Sequence, residues 1–74
     1  MREVEIRREP VELYKILKFE GLAASGGEAK SFIAQGLVRV NGETEQRKRR
    51  KIVHGDIIEF GDTGISIRLA DQQE

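Results

Sequence analysis

The chain opens on a short alternation in which Val4 and Ile6 are set among Glu3, Glu5 and Arg7. A period of two sends every second side chain to one face, so this stretch predicts a half-buried strand. The period then changes. Leu13, Ile16 and Leu17 stand at i, i+3 and i+4, which gathers them on one side of a helix and leaves Lys15 and Lys18 elsewhere on its surface. Pro10 suits the first turn of that helix, where a missing N–H costs nothing. Gly21 suits its end, because glycine accepts the left-handed conformation beyond a helix terminus.

A second helix is predicted to start at Ser25. Ser25 and Glu28 have capping-box spacing, in which each side chain satisfies a backbone N–H of the first turn. Ala29, Phe32 and Ile33 supply the buried face and Gly36 the stop. Two short helices joined by a tight, glycine-bearing turn form a helical hairpin.

Alternation then returns. Leu37-Val38-Arg39-Val40 runs into Asn41-Gly42, a strong hairpin signal because both residues accept positive φ, and Glu43-Thr44-Glu45 would return beside it. Residues 46–51 are too charged for a core element and read as a loop or an exposed strand end. His54-Gly55-Asp56 is a turn leading into the strand Ile57-Ile58-Glu59-Phe60. Gly61-Asp62-Thr63-Gly64 is another turn, followed by a strand in which Ile65, Ile67 and Leu69 alternate with Ser66 and Arg68. The order is β-α-α-β-β-β-β. This predicts an α+β domain whose helical pair covers one side of a small, mostly antiparallel sheet. Pairing of the first strand with the last is compatible with the pattern but not dictated by it. Gln72 onward is a polar tail. With no repeat and no linker, residues 1–74 are expected to form one domain.

Composition narrows the chemistry. Seventy-four residues without cysteine and with one histidine offer no disulfide framework, no thiolate metal site and no cysteine nucleophile, so neither a metal nor a cofactor is expected. No apolar run approaches the roughly 18 residues of a membrane span, and the alternating start is unlike a signal peptide. A cytoplasmic protein is expected, with no membrane partner. Neither a Ser-His-Asp pattern nor a carboxylate pair beside an obvious base stands out, so the chain is not expected to be an enzyme. His54, at a strand-entering turn, reads as structural or merely exposed, not catalytic. Tyr14, Phe19, Phe32 and Phe60 sit in apolar patterns and read as core, which argues against a sheet that stacks bases on exposed aromatics.

Charge changes the picture most. The net charge is zero, but the segment from 30 to 51 holds seven basic residues (Lys30, Arg39, Arg47, Lys48, Arg49, Arg50, Lys51) against Glu43 and Glu45. That segment is +5 and the remainder −5. Local field, not net charge, decides where a polyanion lands. The run Arg47-Lys48-Arg49-Arg50-Lys51 cannot be buried, and water or a polyanion must relieve its repulsion. As a solvated loop it would mean nothing further. As a phosphate-contacting surface, displayed from a rigid scaffold beyond the Asn-Gly hairpin, it would neutralise about five phosphates, and affinity would fall by roughly two decades between about 50 and 200 mM salt. A nuclear-import signal would need an extended, accessible chain. The start of the second helix offers free N–H groups, two glycines that admit close approach, and Lys30 one turn in. Capping and anion binding are compatible there, but without Gly-Lys-Ser/Thr it is no nucleotide-hydrolysing loop.

The order Gly21-Leu22-Ala23-Ala24-Ser25-Gly26-Gly27-Glu28-Ala29-Lys30, Ile33, Gly36-Leu37-Val38-Arg39-Val40-Asn41-Gly42-Glu43, the basic run and Gly55-Asp56-Ile57-Ile58 resembles the RNA-binding domain first seen in small-subunit ribosomal protein "S-four", also called the αL motif. The resemblance covers about residues 11–60 and extends to small free-standing bacterial members, and the domain is also appended to pseudouridine synthases and tyrosyl-tRNA synthetases. It implies binding of structured RNA, ribosomal or transfer RNA, through the helical hairpin and the loop beyond the Asn-Gly turn. The residues it implicates are Ser25, Gly26, Gly27, Lys30, Arg39, Arg47, Lys48, Arg49, Arg50 and Lys51. Many members carry a basic residue directly after the serine. Gly26-Gly27 stands there in this chain, which shifts the expected contact to backbone N–H groups. With no catalytic module, any chemistry on the RNA would come from a protein partner, and a ribosome-associated monomer is expected. The competing reading is a protein-interaction adaptor whose basic loop docks on an acidic partner. A ubiquitin-like carrier is set aside because the sequence ends Gln72-Gln73-Glu74 and not Gly-Gly.

Overall fold

The computed structural model describes residues 1–70; the polar tail expected from Gln72 lies outside the described residues. Strand β1 (Arg2–Ile6) follows from the Val4 and Ile6 alternation, and it pairs in parallel with the last strand, Val4 opposite Ile67 and Ile6 opposite Leu69. Next comes β2 (Val11–Glu12), two residues long, and then α1 (Leu13–Phe19). Helix α2 (Gly26–Ala34) completes the hairpin. The remaining strands are β3 (Val38–Val40), β4 (Glu43–Thr44), β5 (Lys51–Ile52), β6 (Ile57–Phe60) and β7 (Thr63–Leu69). A five-stranded sheet runs β1-β7-β6-β3-β4, antiparallel except at β1–β7, while β2 and β5 form a separate antiparallel pair. The α+β order expected from the pattern holds, with the two-residue β2 and β5 added to it.

Pro10 is the correction. It lies before the helix, joined to Glu9 by a cis peptide bond, because Val11 and Glu12 are drawn into pairing with Ile52 and Lys51. The helix therefore starts at Leu13, and its first N–H groups are satisfied from outside. Leu13 N–H donates to the Arg50 carbonyl at 2.9 Å and Tyr14 N–H to that of Lys48 at 3.1 Å.

Both helices end alike. Gly21 and Gly36 adopt φ of +76° and +80°. Leu22 N–H donates to Leu17 and Gly21 N–H to Lys18, with Leu37–Phe32 and Gly36–Ile33 as the equivalents. These are the paired bonds of a Schellman cap, which close the helix on its last free carbonyls. The Gly61-Asp62-Thr63-Gly64 turn is tighter than expected. Phe60 pairs with Thr63, so only Gly61 and Asp62 lie between the strands.

The core is where the two periods meet. Leu13, Ile16 and Leu17 of α1 and Ala29 and Ile33 of α2 pack with Val38, Val40, Ile52, Ile58, Ile65 and Ile67 of the strands, all essentially buried. Truncating any large member to alanine should cost about 2–5 kcal/mol, a large share of the stability of so short a chain. Phe32 and Phe60 stack at its flank, centroids 5.1 Å apart. Phe19 departs from the expected core placement. It is 69% exposed, because it falls off the Leu13–Ile16–Leu17 stripe at the last helical position. No helix among the described residues is long and apolar enough to cross a membrane.

Candidate nucleic-acid interface

Asn41 and Gly42 form the β3–β4 turn with φ of +53° and +86°. Asn41 also reaches a second turn. Its Nδ2 donates to Asp56 Oδ1 at 3.0 Å, and its Oδ1 accepts from Ile57 N–H at 2.9 Å. Asp56 Oδ2 accepts from Val53 N–H at 2.9 Å. The two turns on either side of the basic run are thereby locked together, and the run between them has fixed ends.

Just ahead of the run, the decisive residue is an acid. Glu45 is 6% exposed, and its carboxylate accepts from Arg47 N–H, Arg47 Nε and Arg47 Nη2 at 2.9, 2.9 and 3.0 Å and from Arg50 Nη1 at 2.8 Å. The hydrogen bonds from the Arg47 side chain, opposed by desolvation and helped by Arg50, hold the Glu45 carboxyl down at about 2. The same contact raises the Arg47 guanidinium above its ordinary value. A charge this well bonded folds the chain back on itself, so residues 47–50 make a turn instead of a floppy excursion. The carbonyls of that turn then cap α1 through Leu13 and Tyr14.

The cations divide into two groups. Arg47 and Arg50 are engaged by Glu45, and Arg49 Nη1 lies 3.2 Å from Glu12 Oε1. Lys30, Lys48 and Lys51 have no carboxylate within ion-pair distance among the described residues. Arg39 sits on the face of β3 opposite the buried Val38 and Val40, paired with Glu59 at 3.4 Å. The structure brings it to Glu59 and not to the basic turn.

At the start of α2, Ser25 Oγ accepts from Glu28 N–H at 3.1 Å, as the capping spacing predicts. The return bond is shifted by one residue, since Glu28 Oε1 accepts from Ala24 N–H at 2.6 Å and not from Ser25. Gly26 and Gly27, at the first two helical positions, keep N–H groups that no helix can satisfy internally. They are available to an anion.

Between the basic turn and the start of α2 lies Tyr14, which sequence reasoning placed in the core. Tyr14 is only half-buried. Lys30 Nζ lies 4.5 Å from its ring centroid, Arg49 Cζ 5.4 Å and Lys15 Nζ 6.0 Å. The ring also rests against α2, where a Cβ on Gly26 would come within 3.5 Å of Tyr14 Cε2. The signal was present in the sequence: Tyr14 follows Leu13 directly, so it stands a quarter-turn off the buried stripe. Glu45 carried less signal, because its burial depends on two arginines folding back over it. His54 is structural, with Nδ1 accepting from Leu69 N–H at 3.0 Å and its own N–H donating to Glu9 Oε2 at 2.6 Å. Among the described residues no three His, Cys, Asp or Glu side chains gather as a metal site would require.

The chain is similar to several known proteins. The profile of the family described as "S4 domain" matches residues 4–68. The Escherichia coli (strain K12) protein named "Putative RNA-binding protein YbcJ" is 46% identical over 57 residues, spanning 77% of this chain and 81% of YbcJ. The Bacillus subtilis (strain 168) protein named "Probable ribosome maturation protein RlbA" is 37% identical over 57 residues, 77% of this chain and 80% of that protein. The solution structure of YbcJ from E. coli, described as revealing an αL motif involved in RNA-binding, matches with a TM-score of 0.70 at 40% identity, covering 92% of this chain and 87% of that one.

Proposed function

This chain belongs to the S4 domain family, and from that premise we propose that it binds structured RNA through the start of α2 and the turn at residues 47–51. The observation that carries the reading is that cations 19 residues apart in sequence, Lys30 and Arg49, lie within 6 Å of one ring centroid. Bringing these cations together costs mutual repulsion, which the Tyr14 ring and Glu12 offset in the free protein. A polyanion makes the crowding favourable.

The contacts divide by chemistry. Gly26 and Gly27 offer backbone N–H groups, with Ser25 shaping the helix start; Lys30, Arg47, Lys48, Arg49, Arg50 and Lys51 supply charge. Arg39, on the outer face of the sheet, takes a peripheral phosphate. Such contacts read shape and backbone with little base readout. The RNA is ribosomal or translation-related, a reading supported by the name of the RlbA relative. The protein binds as a cytoplasmic monomer and performs no chemistry of its own.

The test is retention of a ribosomal RNA hairpin by the purified protein across a salt series, beside the double variant Lys48→Glu, Lys51→Glu. Both lysines lack carboxylate partners among the described residues, so their reversal breaks no ion pair. Lys51 faces Glu12 across β2 and β5, so circular dichroism of the double variant verifies its fold. Loss of more than about tenfold in affinity is expected, from two reversed phosphate contacts. Affinity indifferent to the double reversal, with an acidic protein co-purifying in its place, would leave the adaptor reading standing.

A further inference from the structure

We propose that Tyr14 is a positioning residue of this surface: its ring gathers Lys30 from α2 and Arg49 from the basic turn into a single anion-binding cluster. The inference rests on the RNA-binding reading above and deepens it by naming what holds the two halves of the site in register.

Three observations converge on the ring. Tyr14 is anchored to the basic turn through its own backbone, since its N–H donates to the Lys48 carbonyl at 3.1 Å. The side chain leans the other way, toward α2, where it lies against Gly26. Lys30 and Arg49 then approach the ring, at 4.5 and 5.4 Å from its centroid, with Lys15 at 6.0 Å. One residue of α1 thus touches both halves of the proposed site.

The energetics say why an aromatic residue is needed. Three cations close to one point repel, and something negative must offset this in the free protein. Glu12 does so for Arg49 and Lys15, at 3.2 and 3.7 Å from the same Oε1. Lys30 has no carboxylate within ion-pair distance among the described residues, so the negative face of the Tyr14 ring is its electrostatic partner. Without the ring, a long flexible lysine would sample its rotamers in water and would have to be ordered when RNA binds. A ring face holds a cation without neutralising it, unlike a carboxylate, and leaves the charge available to a phosphate.

The test uses the full chain with Tyr14→Phe, Tyr14→Trp and Tyr14→Leu, a structured RNA hairpin as probe, and proton NMR of the free protein. Ring-current shielding should move the Lys30 methylene next to Nζ upfield of its Lys48 counterpart in the wild-type protein, and the difference should vanish in Tyr14→Leu. Binding should weaken about tenfold in Tyr14→Leu and stay within about twofold of wild type in the two aromatic variants, whose faces still attract cations. A residue that merely filled space would be replaced adequately by leucine. Wild-type affinity in a folded Tyr14→Leu protein would overturn the inference while leaving RNA binding intact. Equal Lys30 and Lys48 shifts in the wild-type protein would overturn it even if Tyr14→Leu did not fold. A wild-type protein that retained no RNA would overturn both readings.

Discussion

The buried carboxylate of Glu45 is held by the neighbouring Arg47 through one backbone and two side-chain hydrogen bonds, and Arg50 supplies a fourth bond. The acid just ahead of the basic run is therefore what gives the run its shape. It also ties stability to pH. With its carboxyl lowered from 4.5 to about 2, Glu45 stabilises the fold fully above the ordinary carboxylate value, and the contribution is lost as pH falls from about 4.5 toward 2. Glu45→Gln should lower stability at neutral pH by on the order of 2 kcal/mol, discounted for the exposure of Arg47, and should flatten the acid limb. Thermal unfolding of both proteins from neutral pH down to about pH 2 checks this, and superimposable pH profiles would refute it.

The Asn41 side chain bridges two turns, to Asp56 Oδ1 and from Ile57 N–H, while its backbone sits at φ +53°. Asn41→Ala loses both bonds and places a residue that disfavours positive φ in the turn, a cost of about 2–3 kcal/mol. Asn41→Gly restores the backbone freedom alone and should recover about 1 kcal/mol of it. Urea denaturation separates the two. If the variants were equally stable, the positive φ would carry no cost.

The legible part of this fold was whatever a local period or turn chemistry could state. The Leu13–Ile16–Leu17 stripe, the glycine ends of both helices and the Asn41-Gly42 hairpin all appear where the sequence puts them. The Asn41-Gly42 and Gly55-Asp56 turns, read separately in the sequence, are bonded to one another. What local pattern could not state was anything decided by a distant partner. Pro10 lies outside the helix because Val11 and Glu12 pair with Ile52 and Lys51, some 40 residues away. The cations that reach the Tyr14 ring from α2 and the basic turn share no local pattern with it, and Glu45 is bonded by arginines that follow it. The basic run was legible as charge but not as structure: its partners Glu12 and Glu45 lie on β2 and at the end of the β3–β4 hairpin.

Gly26 offers a way to remove a donor without removing a charge. It is the first helical residue, where proline is tolerated, and Ser25 before it is extended at φ −153°, ψ +167°, a conformation proline accepts in its predecessor. Gly26→Pro should therefore fold with near-wild-type stability and bind RNA about five- to tenfold more weakly, the loss of one N–H donated to a phosphate. Circular dichroism and RNA titration on the same sample decide the matter. Unaltered affinity would remove the Gly26 N–H from the interface.

The ion pairs of the free protein also set how steeply binding depends on salt. Arg47, Arg49 and Arg50 already face carboxylates, whereas Lys30, Lys48 and Lys51 do not among the described residues. A cation that exchanges a carboxylate for a phosphate releases fewer counterions than one that was solvated. Binding should then lose only a little over one decade between about 50 and 200 mM salt, as for about three phosphates, and not the roughly two decades of five. Glu12 is the carboxylate most open to displacement, because its side chain is 32% exposed whereas that of Glu45 is 7% exposed. Glu12→Gln frees Arg49 and Lys15 together. It should tighten RNA binding about two- to fivefold at low salt, the worth of an exposed ion pair no longer broken, and steepen the salt slope by about one. Titrations of both proteins at several salt concentrations measure the two effects at once. A Glu12→Gln protein with wild-type affinity and slope would mean that phosphate never competes for Arg49, and that the charge on this residue serves the fold alone.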